Sequence, residues 1–169
     1  MSTVLALPVA LALAVVAWPQ ATHGRFPRFQ DYPASGIFSG KPAPPKLVRP
    51  ADRLFRTQIR NGAAKGPNFA DHYSIVEWGC GSSCVSIVIV DAKSGEVYAA
   101  PFRTLGYGSV LKYADVSEEN YYPLEYKLNS RLLIVRGCPE ERNCASYFYE
   151  WTGSMFKLLD KKPAAPLPH

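Results

Sequence analysis

The chain has 169 residues, 47% of them hydrophobic and 20% charged, with a formal net charge of +5. That composition excludes a disordered or fibrous chain. An apolar leader of about 21–24 residues would leave roughly 145 for one ordinary domain, and no second apolar run approaches the roughly 20 residues of a membrane span.

Residues 4–18 form an apolar run broken only by Pro8. It is too short to cross a bilayer comfortably and has the length of a signal-peptide core. Ala21 and Gly24 supply small residues for cleavage, although the segment before the run carries no Lys or Arg. Residues 1–24 are therefore expected to be an export signal, and the mature chain to be periplasmic or secreted. Charge is lopsided beyond it. Residues 25–65 hold nine basic side chains against Asp31 and Asp52, a balance of +7, whereas residues 66–169 balance at −2. A basic face of this kind points to an anionic cell-wall or lipid component, or to an acidic envelope protein; the competing reading is a solvated basic helix. An exported compartment offers little nucleic acid, so none is expected as a partner.

Prolines 27, 33, 42, 44, 45 and 50 preclude regular helix or central strand, so residues 25–50 read as an extended arm. Its aromatics Phe26, Phe29, Tyr32 and Phe38 would dock it on the core. Pro50 suits a first helical turn, and residues 51–61 read as one amphipathic helix, ended by Gly62 or Gly66. Ala51, Phe55 and Ile59 share its apolar face, with Leu54 beside them and Arg53, Arg56 and Arg60 on the others.

From residue 72 onward the pattern is short strands. Residues 72–78 alternate, with Tyr73, Ile75 and Glu77 on one face and Ser74, Val76 and Trp78 on the other. Residues 85–90 are nearly continuous apolar sequence, hence a central strand. Residues 91–95 form a turn with Gly95 where φ is positive, and 97–100 return. Further strands are expected at 110–113, 124–128, 131–136, 145–151 and 155–159, with a polar turn at 117–120 and a Pro-rich tail without a core at 161–169. The expected fold is α+β: residues 51–160 form a mainly antiparallel sheet of about 6–8 strands with one N-terminal amphipathic helix and disulfide-clipped loops.

Cys80, Cys84, Cys138 and Cys144 read as two disulfides in an exported chain, because neither pair has the C-x₂-C spacing of a zinc site. Chain entropy does not choose the connectivity. Gly79 and Gly81 give the first loop freedom to fold back, which favours Cys80 with Cys84 and Cys138 with Cys144.

The run from Gly66 to Tyr73 (GPNFADHY), the WGCGSSC of residues 78–84 and the VDAKSG turn occur in order. Together with the earlier GKPAPP and FRT elements, they resemble an uncharacterised family of small exported bacterial proteins, over roughly residues 38–102. The resemblance implies bacterial origin and export and carries no activity over. In that family a glycine commonly stands where this chain has Asp71, which weakens a catalytic role for that carboxylate.

Three kinds of site are conceivable. Cys80, His72 and Asp71 could form a thiol nucleophile with its base and orienting acid, although short-loop cysteines of exported proteins are usually structural. Glu77 could share acid–base work with His72 or Glu125. The favoured reading is a non-enzymatic binding surface with Tyr73 and Trp78 as aromatic anchors and Arg53, Arg56 and Arg60 as its basic component. Three histidines, two of them outside the body of the domain, argue against a His-based metal site, and no phosphate loop calls for a nucleotide; no cofactor is expected.

Overall fold

The computed structural model describes residues 25–36, 38–110 and 121–163. The expected export signal, the residue 117–120 turn and residues 164–169 of the tail lie outside the described residues.

The eight strands of the described residues are β1 (Tyr73–Gly81), β2 (Cys84–Asp91), β3 (Val97–Ala99), β4 (Leu105–Gly106), β5 (Leu124–Tyr126), β6 (Leu132–Pro139), β7 (Ala145–Trp151) and β8 (Phe156–Pro163). Every pairing is antiparallel, in the order β1-β2-β4-β6-β7-β8, with β3 beside β2 and β5 beside β6. Two half-sheets are thus joined through the short strand β4, where Gly106 pairs with both Cys84 and Cys138. A side chain at Gly137 would collide with the Gly106 carbonyl at 2.8 Å, so the join depends on that bare backbone.

Period-2 alternation decides what each half buries. Tyr73 and Ile75 of β1, Ile87 and Ile89 of β2, Leu133 and Val135 of β6, and Tyr149 and Trp151 of β7 share one core between the halves. The opposite face of the first half, Val76, Val88 and Val90, is covered by a helix through Ile59 and Ala63. The opposite face of the second half, Leu132, Ile134 and Phe148, is covered by Phe29 and Tyr32, and Phe26 stacks on Phe148 at 5.4 Å. The N-terminal segment is further pinned by Ala43 N–H to the Ala92 carbonyl and Lys46 N–H to the Gly95 carbonyl, each at 2.8 Å.

Several expectations are corrected. The single helix is two: α1 (Pro50–Leu54) and α2 (Arg56–Ala64), broken at Phe55 with φ −108° and ψ 25°. The face turned inward carries Asp52, Ile59 and Ala63, while Leu54 is 77% exposed. Phe55 leaves the helical path because its ring stacks on Trp78, with centroids 4.8 Å apart. Gly66, at φ +91°, ends α2. Gly62 stays inside the helix because Val76 packs directly against it. Residues 108–110 are helical where a strand was expected to begin, and residues 111–113 lie outside the described set. Lys161, Lys162 and Pro163 are not tail but the end of β8, paired with Tyr147, Ser146 and Ala145. Proline is tolerable there because β8 is an edge strand.

Candidate ligand-binding site

The residues around Trp78 are brought together by the break between the helices. Strand alternation puts Trp78 on the face of β1 that α2 covers, but α2 reaches only as far as Val76 and Gly62, and the Phe55 junction lies over Trp78. A cavity of about 320 Å³ remains between the helices, the outer face of β1 and β2, and the segment from Ala99 to Thr104. Phe55, Ile59, Trp78, Val88 and Phe102 make its lining mostly apolar, and its size falls at the small end of ligand pockets.

Few polar groups reach this cavity. Asp52, 3% exposed, is held in a two-pronged pair by Arg49, at 2.8 Å from Nε and 2.7 Å from Nη2. Arg103 stands at the rim, its backbone N–H bound to Glu140 Oε1 at 2.8 Å. The pair with Arg49 neutralises Asp52, which leaves Arg103 as the remaining charge among the lining residues, with the Glu140 carboxylate on its backbone N–H. The indole N–H of Trp78 is buried and has no hydrogen-bond partner. An orphaned donor costs about 1–3 kcal/mol unless something accepts from it. The indole N–H of Trp151 is also unbonded, but it lies near the Tyr73 hydroxyl, short of hydrogen-bond geometry.

The structure gathers some of the residues singled out in the sequence and separates others. Arg53, Arg56 and Arg60 stand exposed on α1 and α2, whose junction walls the cavity, without lining it. Arg53 donates to the Leu47 carbonyl and Arg56 to the Arg53 carbonyl. Tyr73 is only 8% exposed; its ring packs edge-on against Trp151 and its hydroxyl donates to the Gly153 carbonyl at 3.2 Å, so it belongs to the core. Phe102 belongs to the aromatic set that the sequence offers for a binding surface, whereas Phe55 and Arg103 are members the sequence did not reveal: Phe55 read as a core-facing helix residue, and Arg103 sits in irregular chain that no periodicity marks.

Cys80 is bonded to Cys84 and Cys138 to Cys144, and no free cysteine occurs among the described residues. Strands β1 and β2 run through the first clip and pair Gly81 with Cys84, leaving Ser82 and Ser83 as the hairpin tip. His72 lies at the other end of β1, roughly 26 Å away at about 3.3 Å per residue. Its Nδ1 is 3.0 Å from Asp71 Oδ2 and 3.1 Å from Lys93 Nζ, and its Nε2 is 3.8 Å from Asp91 Oδ1. The His–Asp pair therefore exists without a neighbouring thiol. Among the described residues no cluster of three or more His, Cys, Asp or Glu could hold a metal.

Glu77 accepts a 2.5 Å hydrogen bond from the Tyr126 hydroxyl of β5. Its side chain keeps contact with solvent, yet enough protein surrounds the carboxylate that desolvation raises its pKa, opposed by the Tyr126 bond. Burial also raises the Tyr126 hydroxyl, reinforced by the adjacent carboxylate. Glu125 is bound to Arg136 instead, so the two carboxylates do not form an acid–base pair. The chain matches no protein-family model, no curated protein sequence and no solved structure at a significant level.

Proposed function

We propose that this protein is an exported, non-enzymatic binding module whose ligand seat is the Trp78 cavity, and that its ligand is an anionic amphiphile of the cell envelope. One observation carries the reading: a mostly apolar cavity lined by Phe55, Trp78, Phe102 and Arg103, at a tryptophan whose buried indole N–H has no hydrogen-bond partner. Phe55 and Trp78 offer a stacked aromatic wall to the apolar part of the ligand. The Trp78 N–H offers a donor to a headgroup oxygen, and Arg103 with the exposed arginines of α1 and α2 offers attraction to its charge. Two disulfides fit an oxidising compartment, and among the described residues no helix is long and apolar enough to cross a membrane. The family resemblance adds a bacterial, periplasmic or secreted setting.

Titration calorimetry with octyl phosphate and with uncharged octyl glucoside tests this reading. Octyl phosphate is expected to bind with one-to-one stoichiometry, octyl glucoside at least about tenfold more weakly, and Phe55→Ala to weaken octyl phosphate by about tenfold or more. Equal affinity for the two amphiphiles, or an unchanged affinity in Phe55→Ala, would overturn it.

A further inference from the structure

Strand β1 lies at the end of the sheet order, so one of its sides has no neighbouring strand. Along that side every second residue turns its N–H and C=O outward. The chain itself closes the first two positions. Tyr73 exchanges bonds with Phe69, its N–H to the Phe69 carbonyl at 3.0 Å and the Phe69 N–H to its own carbonyl at 2.9 Å. Ile75 does the same with a side chain: its N–H donates to Asn68 Oδ1 at 2.7 Å and its carbonyl accepts from Asn68 Nδ2 at 3.0 Å. The Asn68 carboxamide thus makes the pair of bonds that an added strand would make.

The same alternation turns outward Glu77 and Gly79, and among the described residues nothing bonds to their outward backbone groups. Along Ile75 and Glu77 runs a groove of about 420 Å³ lined by Gln58, Asn61 and Lys65 of the helical segment and by Tyr126. Gly79 points the same way. Its φ is not positive, and a Cβ there would meet nothing closer than the Cys84 carbonyl at 3.9 Å. Among the described residues neither conformation nor packing requires a glycine here. A glycine in a strand often marks where another backbone approaches closely. Edge strands are ordinarily blunted by charge, proline or a bulge; here the Glu77 carboxylate is taken up by the Tyr126 hydroxyl, and the register irregularity begins only at Gly79.

We infer that the β1 edge at Glu77 and Gly79 is a second site, distinct from the Trp78 cavity, that takes an extended peptide by strand addition. The main-chain groups supply affinity in this mode, and pockets for alternate side chains supply selectivity. The walls of α2 and Tyr126 leave a recess that suits a single strand rather than the edge of a second folded copy. The amides of Gln58 and Asn61, with Lys65 and Glu77 beside them, favour polar peptide side chains such as Thr, Ser and Gln.

Selection of peptides from a random heptapeptide library on the intact exported protein tests this, followed by amide hydrogen exchange. Enriched peptides are expected to slow exchange at Glu77 and Gly79, and Gly79→Pro to lower their affinity at least about tenfold by removing one outward donor. Octyl phosphate binding by the same variant reports whether its fold is intact. A test on the ligand side does not depend on that fold: N-methylation of one alternate set of peptide amides should abolish binding, and methylation of the other set should spare it. Failure to enrich any peptide, unchanged exchange at both residues, equal tolerance of methylation in both sets, or dimerisation through this edge in place of peptide uptake would each overturn the inference.

Discussion

At Ile75 the backbone of an edge strand meets a side-chain carboxamide instead of another strand, and Ile75 is only 3% exposed. Removing the Asn68 amide would leave buried main-chain groups without partners, so Asn68→Ala is expected to cost roughly 1–3 kcal/mol in urea denaturation. Nothing in the sequence separates this asparagine from an ordinary turn residue, because its role depends on where the next strand returns. Glu77 makes a different prediction. Its folded pKa lies above the ordinary 4.5, so around that value the folded state binds more protons than the unfolded state. Stability from this group is therefore fully present below the unfolded pKa and declines as pH rises through the raised folded value. Thermal melts should show Glu77→Gln more stable than the parent at pH 7, with the advantage vanishing by pH 3.5. A less stable variant at pH 7 would show that the Tyr126 bond to the charged form outweighs desolvation.

At the scale of elements, the strands were legible where alternation was strong. Residues 73–78 appear within β1 with the expected faces, and the continuous apolar run 85–90 appears within β2, buried on both faces because one packs in the shared core and the other under α2. Both disulfides also follow the local pairing, and Gly95 has φ +78° in the β2–β3 turn. Two elements escaped the sequence for physical reasons. Strand β4 is only Leu105–Gly106, too short for a period. The helix break at Phe55 could not be read from i, i+4 spacing, because Phe55 fits an uninterrupted apolar stripe equally well. The stacking partner that draws it away, Trp78, lies on a strand formed later in the chain. The close packing of α2 on β1 gives a sharp test. A Cβ at Gly62 would lie 2.3 Å from Val76 Cγ1, so Gly62→Ala must push α2 off the sheet. The better helix propensity of alanine is worth less than 1 kcal/mol, whereas overpacking costs about 1–3 kcal/mol. A net loss of stability in denaturant melts is expected, together with weaker octyl phosphate binding as the cavity wall shifts.

Across the whole molecule, two half-sheets enclose one core, and their outer faces are covered by α2 on one side and by Phe26, Phe29 and Tyr32 on the other. The basic excess of residues 25–65 is spread over these covering segments, whereas Arg103, from the segment between β3 and β4, brings charge to the apolar cavity. The sequence carried one ingredient of that site, Trp78, and the arginines on the helices beside it, but not the meeting of Trp78 with Phe55 and Arg103, which the tertiary arrangement supplies. The central claim is that an anionic amphiphile occupies this cavity and accepts from the Trp78 indole. Trp151 supplies the internal control, because its own unbonded indole N–H belongs to a core residue that does not line the cavity. The most direct measurement is the assigned indole N–H region of a ¹⁵N-labelled protein during titration with octyl phosphate. The Trp78 signal is predicted to move downfield and saturate while that of Trp151 stays in place; saturable binding that leaves Trp78 unmoved, or that shifts both indoles alike, would contradict the account.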